Sequence, residues 1–163
     1  MPTPTAVAVA VPADVGAVAR LADERRRSYE PHQPLFWRQA DDALARHEAY
    51  LRGLVEDPAC IFLVAREEQV LSGFVVGRLV PAPPVYEPGG LTCLVDDFAL
   101  ATDDDWHRLG AALLRDLAWR ARGRGAVQAV VVSGRHDDAK RRALAAAGLS
   151  VASEWWVGPL DRL

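Results

Sequence analysis

Residues 94–114 read LVDDFALATDDDWHRLGAALL. An apolar run carrying Asp96 and Asp97 stops at Leu100, a short acidic loop follows, and His107-Arg108-Leu109-Gly110-Ala111-Ala112 opens a helix. A strand that runs through a small-residue turn into a helix start gathers unpaired backbone N–H groups at one point. Such a point attracts a phosphate or pyrophosphate. Carboxylates on the strand just before it can act as a base. A phosphate grip beside a base points to group transfer with a nucleotide-like cofactor.

Working outward, the spacing of apolar residues orders the rest of the chain. Thr5 to Val11 alternates small and β-branched residues and reads as a first strand. Pro12 and Asp14 open a helix, with Asp14 as N-cap, that ends near Tyr29 before Pro31. PHQPLFW, Pro31 to Trp37, is irregular and aromatic, and a second helix is expected from Asp41 to Val55 with Leu44, His47, Leu51 and Leu54 on its buried side. Cys60 to Arg66 and Val70 to Val80 form a hairpin about Glu67-Glu68-Gln69. After the stiff loop PAPPVYEPGG, Leu91 to Leu100 is the next strand, and Asp105 to Arg122 the helix of the central motif. Ala126 to Val132 is a buried strand, and Asp137 or Asp138 caps a helix that runs to Ala147. Val151 to Leu160 is expected as a last strand, with one of Trp155 and Trp156 facing inward and the other outward. The order is β-α-α-β-β-β-α-β-α-β, without repeat, linker or low-complexity tail, so residues 1–163 are expected to form one domain.

The formal net charge of -3 gives no electrostatic reason to expect nucleic acid. Arg25 to Arg27 and Arg120, Arg122 and Arg124 read as solvated helix faces. Cys60 and Cys93 lie in apolar surroundings, with no CxxC and no zinc spacing, so no metal is expected. No apolar run reaches the roughly 18 residues of a membrane span, and MPTPTAVAVAVP lacks the basic start of a signal peptide. A cytoplasmic protein with reduced thiols and no membrane partner is expected.

The element order and the central motif resemble the GCN5-related N-acetyltransferase superfamily over nearly the whole chain. In that family the fourth strand often ends in an acidic residue, an aromatic and an apolar pair; here this is Asp97-Phe98-Ala99-Leu100, preceded by Asp96. The family's cofactor signature is Gln or Arg, two residues, Gly, one residue, then Gly or Ala. His107-Arg108-Leu109-Gly110-Ala111-Ala112 matches its Gly and Ala positions, with His107 in place of Gln or Arg. The resemblance implies a mixed α/β fold, a central sheet of about six or seven strands flanked by about four helices. It also implies acetyl-CoA as co-substrate. The pyrophosphate would lie on backbone N–H groups near His107 to Ala112, with Arg108 adding a charge-assisted bond. The pantetheine arm would bond the backbone of Phe98, Ala99 and Leu100 as an added strand.

Acetyl transfer to an amine needs a neutral nitrogen, and about one alkyl ammonium in a thousand is neutral at pH 7. Asp96 is the first choice of base and Asp97 the second, since alternation puts them on opposite faces of the strand; a β-bulge would change which faces the site. Many relatives carry a Tyr in the last helix to protonate the leaving thiolate. Here that helix contains none, and Ala143 or Leu144 stands in its place. Ser133 and His136, after the fifth strand, are candidate substitutes at the cofactor. By resemblance, Tyr29, Trp37 and Tyr86, with His32, Phe36 and Glu87 near them, are candidates for the acceptor pocket. The expected partner is a small-molecule amine, and a homodimer is an expected assembly. The reading from another class is a non-catalytic acyl-CoA-binding or regulatory module on the same fold.

Overall fold

The computed structural model describes residues 6–163; the start of the first expected strand, Thr5, lies outside them. Five strands form one sheet in the order β1-β2-β3-β4-β5: β1 Ala6–Val9, β2 Cys60–Glu67, β3 Val70–Val80, β4 Leu91–Leu100 and β5 Ala126–Val131. The first four are antiparallel neighbours, and β4 and β5 run parallel. The β2–β3 hairpin turns on Glu68 and Gln69 at φ 48° and 70°. Positive φ at both central residues matches the twist of the flanking strands.

Helices cover both faces. Helix α1 (Val15–Tyr29) and α3 (Ala43–Glu56) lie on one, and α4 (Ala111–Gly123) on the other. A single turn, α2 (Pro34–Trp37), replaces the irregular segment expected there, and α5 is Asp138–Ala146. Val15, Val18 and Ala22 of α1 and Leu51 of α3 pack on Phe62 and Phe74. Leu113 and Leu117 of α4 pack on Leu63, Val75 and Val95. Each of these buried Val and Leu side chains contributes roughly 1.5–3 kcal/mol. Leu44, expected on the buried side of α3, is exposed. Gly77 lets α4 come close, because a Cβ there would fall 2.7 Å from Cys93 Sγ and 2.8 Å from Leu117. Asp14 stands at the start of α1, but its carboxylate turns back to accept from Val11 N–H at 2.9 Å and is paired with Arg66 of β2. The Asp137 carboxylate caps α5 by accepting from the Lys140 N–H at 3.2 Å.

Two irregularities in β4 make the site. Val76 stands opposite Asp97 but Arg78 opposite Leu94, so two residues of β3 span three of β4. The extra residue is a β-bulge. Val95 and Phe98, three apart, therefore both enter the core under α4, and Asp96 and Asp97 line one cleft together. The expected placement on opposite faces is corrected by this bulge. Secondly, the β4–β5 ladder runs only from Leu91 to Val95, closing with Val132 N–H donating to Val95 O at 2.8 Å. Beyond that point the two strands part.

The strand expected over Val151 to Leu160 does not form, so the sheet has five strands among the described residues. A strand needs a ladder partner, and this segment finds none; Glu154 pairs with Arg135 at 3.6 Å, and the Trp155 ring meets Phe36 at 6.2 Å. Trp155 and Trp156 are 83% and 89% exposed, so neither faces inward.

Candidate active site

The parting of β4 and β5 opens a cleft of about 140 Å³. Asp96, Asp97 and Phe98 of β4 line it from one side, Arg26 and Tyr29 of α1 and Trp37 of α2 from another, and Lys140 of α5 closes it.

Each carboxylate has its own donor. Asp97 Oδ2 lies 2.8 Å from His47 Nε2, and Arg26 Nη2 lies 2.7 Å from His47 Nδ1. A guanidinium only donates, so Nδ1 accepts, Nε2 carries the hydrogen, and the neutral imidazole donates it to Asp97. Tyr50 stacks beside this imidazole with centroids 6.3 Å apart. Asp96 accepts from Arg78 Nη2 at 3.1 Å and is the more exposed, its side chain 37% open against 23% for Asp97.

The open edge of β4 is defined by its own bonds. Ala101 N–H donates to Ser72 O at 2.9 Å, toward β3. Phe98 O and Leu100 O accept instead from Lys140 Nζ and Arg25 Nε, each at 2.9 Å. Alternation along an antiparallel strand then turns the backbone groups of Phe98 and Leu100 to the parting and those of Ala99 to β3. Lys140 is fully buried, with Nζ 5.5 Å from the Phe98 ring centre and 5.8 Å from that of Trp106. Burial pushes its ammonium down to about 8, and Arg25 adds to this, against the opposing pull of Asp137 and Asp97. Tyr29 Oη donates to the Asp137 carboxylate. Burial first, and then that bond, hold its phenol far above the ordinary tyrosine range. Its ring packs on Trp37 at 4.9 Å and on Gly134, where a Cβ would lie 3.3 Å from it.

The helix start differs from expectation. Helical backbone begins with a 3-10 turn at Asp103–Asp105 and passes through a π turn at Trp106–Gly110 before α4. The first-turn N–H groups thus begin at residue 103, four positions before His107, and that of Trp106 is already taken by Asp103 O. His107, Arg108 and Ala111 are exposed, Leu109 and Gly110 are buried, and Ala112 is half-buried. A Cβ on Gly110 would lie 2.7 Å from the Trp106 ring, so this glycine makes room for the indole. The acidic triplet is largely neutralised. Asp103 pairs with Arg25. Asp105 accepts from Thr102 Oγ1 at 2.6 Å and Arg108 Nη2 at 2.7 Å, which hold its carboxyl below the usual range. Arg108 also reaches Glu67 at 2.6 Å.

Of the residues expected from sequence, the cleft brings together Asp96, Asp97, Phe98, Ala99, Tyr29 and Trp37. Ser133 and His136 stay outside its lining: Ser133 Oγ donates to Gly134 O at 3.4 Å, and the His136 ring stacks on His32 with centroids 4.5 Å apart. Tyr86 is 67% exposed on the β3–β4 loop and does not reach the cleft. Sequence reasoning missed His47, Arg26, Arg25 and Lys140. For Lys140 a signal existed, because it stands one helical turn before Leu144 on the apolar stripe of α5. For His47 the signal was its place on the buried side of α3 with Leu51 and Leu54, although its partner Asp97 lies fifty positions away. Among the described residues no group of three or more His, Cys, Asp or Glu is set to hold a metal ion, and no helix is long and apolar enough to cross a membrane.

No protein-family model and no curated protein matches the chain. Solved structures do match. A mutant protein from Bacillus halodurans superimposes with a TM-score of 0.82 at 15% identity, covering 95% of this chain and 99% of its own. A predicted acetyltransferase of Clostridium acetobutylicum, crystallised with acetyl-CoA, gives 0.75 at 12% identity over 98% of this chain and 99% of its own. A GCN5-related N-acetyltransferase from Ralstonia eutropha gives 0.72 at 15% identity over 97% and 99%. The β4–β5 parting and the helices on both faces of the sheet thus sit in a shared architecture, and the chain has the GCN5-related N-acetyltransferase fold.

Proposed function

We propose that this chain, acting as one domain, is an acetyl-CoA-dependent N-acetyltransferase that modifies a small-molecule amine. The observation that carries the reading is the parting of β4 from β5 with paired carboxylates at its floor. Acetyl-CoA supplies the activated acyl group. The open edge at Phe98 and Leu100 suits the amides of a pantetheine arm, with Ala99 between them. Residues 103–112 lie beyond Leu100, where the pyrophosphate would be held; Arg25, Thr102 and Arg108 already answer the carboxylates there.

Asp97 takes the proton from the acceptor ammonium, directly or through water. The His47 N–H fixes its carboxylate, and Arg26 fixes the imidazole. Asp96, bound to Arg78 and more open, adds negative potential that draws a cationic amine. Tyr29 and Trp37 offer aromatic walls to the acceptor. Cys60 and Cys93 are free and buried, which suits a reducing, cytoplasmic setting. Trp155 and Trp156 are the exposed surface on which a homodimer would form.

The test is thiol release from acetyl-CoA against pooled polyamines, amino acids, aminoglycosides and peptides. Asp97→Asn lowers kcat/KM by about a hundredfold or more, and Asp96→Asn costs less. Undiminished turnover in Asp97→Asn removes Asp97 from the mechanism. The second reading, a non-catalytic acyl-CoA-binding module, is favoured by one observation: Leu144 lies in an apolar crevice with Phe98 and Trp106, with no hydroxyl there. Calorimetric binding of acetyl-CoA without turnover across the whole panel selects it.

A further inference from the structure

Lys140 is the one wholly buried cation of the cleft among the described residues, and proton removal at Asp97 does not use it. It enters from the first turn of α5 and reaches across the parting to β4. An ammonium carries three N–H bonds. Among the described residues, Phe98 O is the single oxygen that Nζ meets; two N–H bonds have no oxygen partner, and Lys140 lines the cleft. Phe98 adjoins Asp97. Along β4, Leu100 marks the end toward the helix start and Asp97 the end toward the carboxylates, so Nζ sits beside the reacting end.

The other proton carriers nearby are committed. Tyr29 gives its hydrogen to Asp137, His47 gives Nε2–H to Asp97, and Ser133 donates to Gly134 O. Arg25 and Arg26 do not release protons in proteins. Leu144 has none to give, and His136 lies outside the lining.

We propose that Lys140 donates the proton that neutralises the departing thiolate of coenzyme A. This rests on the acetyl-transfer reading. The acceptor nitrogen forms a bond to the acyl carbon, and the carbon–sulfur bond breaks with its electron pair going to sulfur. One Nζ–H proton then passes to sulfur and yields the free thiol. The acceptor nitrogen sheds two protons: the one lost when its ammonium is neutralised passes from Asp97 to solvent, and the one lost as the amide forms then goes to Asp97. Transfer of one proton from Asp97 to Lys140 through water restores both groups. The charged groups facing Nζ are Asp137 at the cap of α5, Asp97 on β4 and Arg25 on α1. Burial among them leaves an ammonium that gives up its proton at about 8, close to where a thiol ionises, at about 8.5. Matched donor and acceptor of this kind suit general-acid catalysis.

The experiment needs no acceptor. Coenzyme A itself, with its free thiol, is bound to the intact protein, and the ultraviolet absorbance of its thiolate is followed against pH. An adjacent ammonium favours the thiolate, so the bound thiol ionises about tenfold or more readily than free coenzyme A. Lys140→Met abolishes that gain, whereas Lys140→Arg keeps it. Bound coenzyme A that ionises as it does in solution, in the wild-type protein alone, overturns the proposal and leaves acetyl transfer standing. So does an equal gain in Lys140→Met. No binding of coenzyme A by the wild-type protein overturns both.

Discussion

Replacing Lys140 by Met separates the cost of burying a charge from the contacts the side chain makes. Burial brings the folded-state lysine to about 8, against an ordinary value of about 10.4 in the unfolded chain. Below pH 8 both states are protonated, and folding bears the full desolvation cost. Between the two values the unfolded chain keeps a proton that the folded protein has released, so stability rises with pH. At about 1.4 kcal/mol per factor of ten, the gain over that window is on the order of 3 kcal/mol. Met fills the space between the Phe98 and Trp106 rings without charge and makes favourable sulfur–aromatic contacts. It forfeits the bond to Phe98 O, at a cost of about 1–3 kcal/mol. At pH 7 the variant is therefore within about 2 kcal/mol of wild type, and by pH 10 it is the less stable protein. Urea unfolding of both proteins across this range measures the difference. Other titrating groups cancel in the comparison, and the relative midpoint moves by about 1–3 M at usual urea slopes. Parallel stability curves from pH 8 to 10.4 would refute the reasoning, because they would mean that Lys140 titrates as a solvated lysine.

Gly110→Ala sets a methyl 2.7 Å from the Trp106 ring and 3.4 Å from Leu100; it costs about 1–3 kcal/mol in urea unfolding, and an unchanged midpoint would mean the indole has room to spare. Burial, with Asp57 adding to it, pushes the Cys60 thiol up to about 12, and burial also raises Cys93. Both therefore react with an aromatic disulfide reagent only as fast as the protein unfolds, and a fast native-state reaction at either would contradict the packing.

The sequence shows most clearly those elements whose side chains fall into two layers. The β2–β3 hairpin and β4 are near-continuous apolar runs because helices cover both faces of the sheet, and their expected bounds lie within a residue of those found. The segment from Val151 to Leu160 carries strand-forming Val and Trp residues but lacks a ladder partner, and no local pattern reports a missing neighbour. The bulge at Asp96 and Asp97 is likewise set by the pairing with β3 rather than by β4 alone. That is why the carboxylates were legible as candidates while their shared face was not. Tyr29 and Trp37 reach the cleft because α1 and α2 end there, whereas Tyr86 lies on a loop that the pairing of β3 with β4 carries away. His47, Arg26 and Lys140 stand in helices whose local pattern reads as solvated or packed, and only tertiary contact joins them to β4.

The π turn at Trp106–Gly110 fits more residues into its circuit than an α turn. It thus acts as a phase shifter between the acidic corner and the helix after it. Each residue of an α-helix advances about 100° around the axis. Losing one residue from this turn would swing Leu113, Leu117 and Ala121 that far out of the groove they now fill under the sheet. Gaining one would do the same in the other direction. The length of this segment is therefore fixed by the angular setting of the whole helix, even though His107 and Arg108 within it face solvent and their identities are locally free to vary.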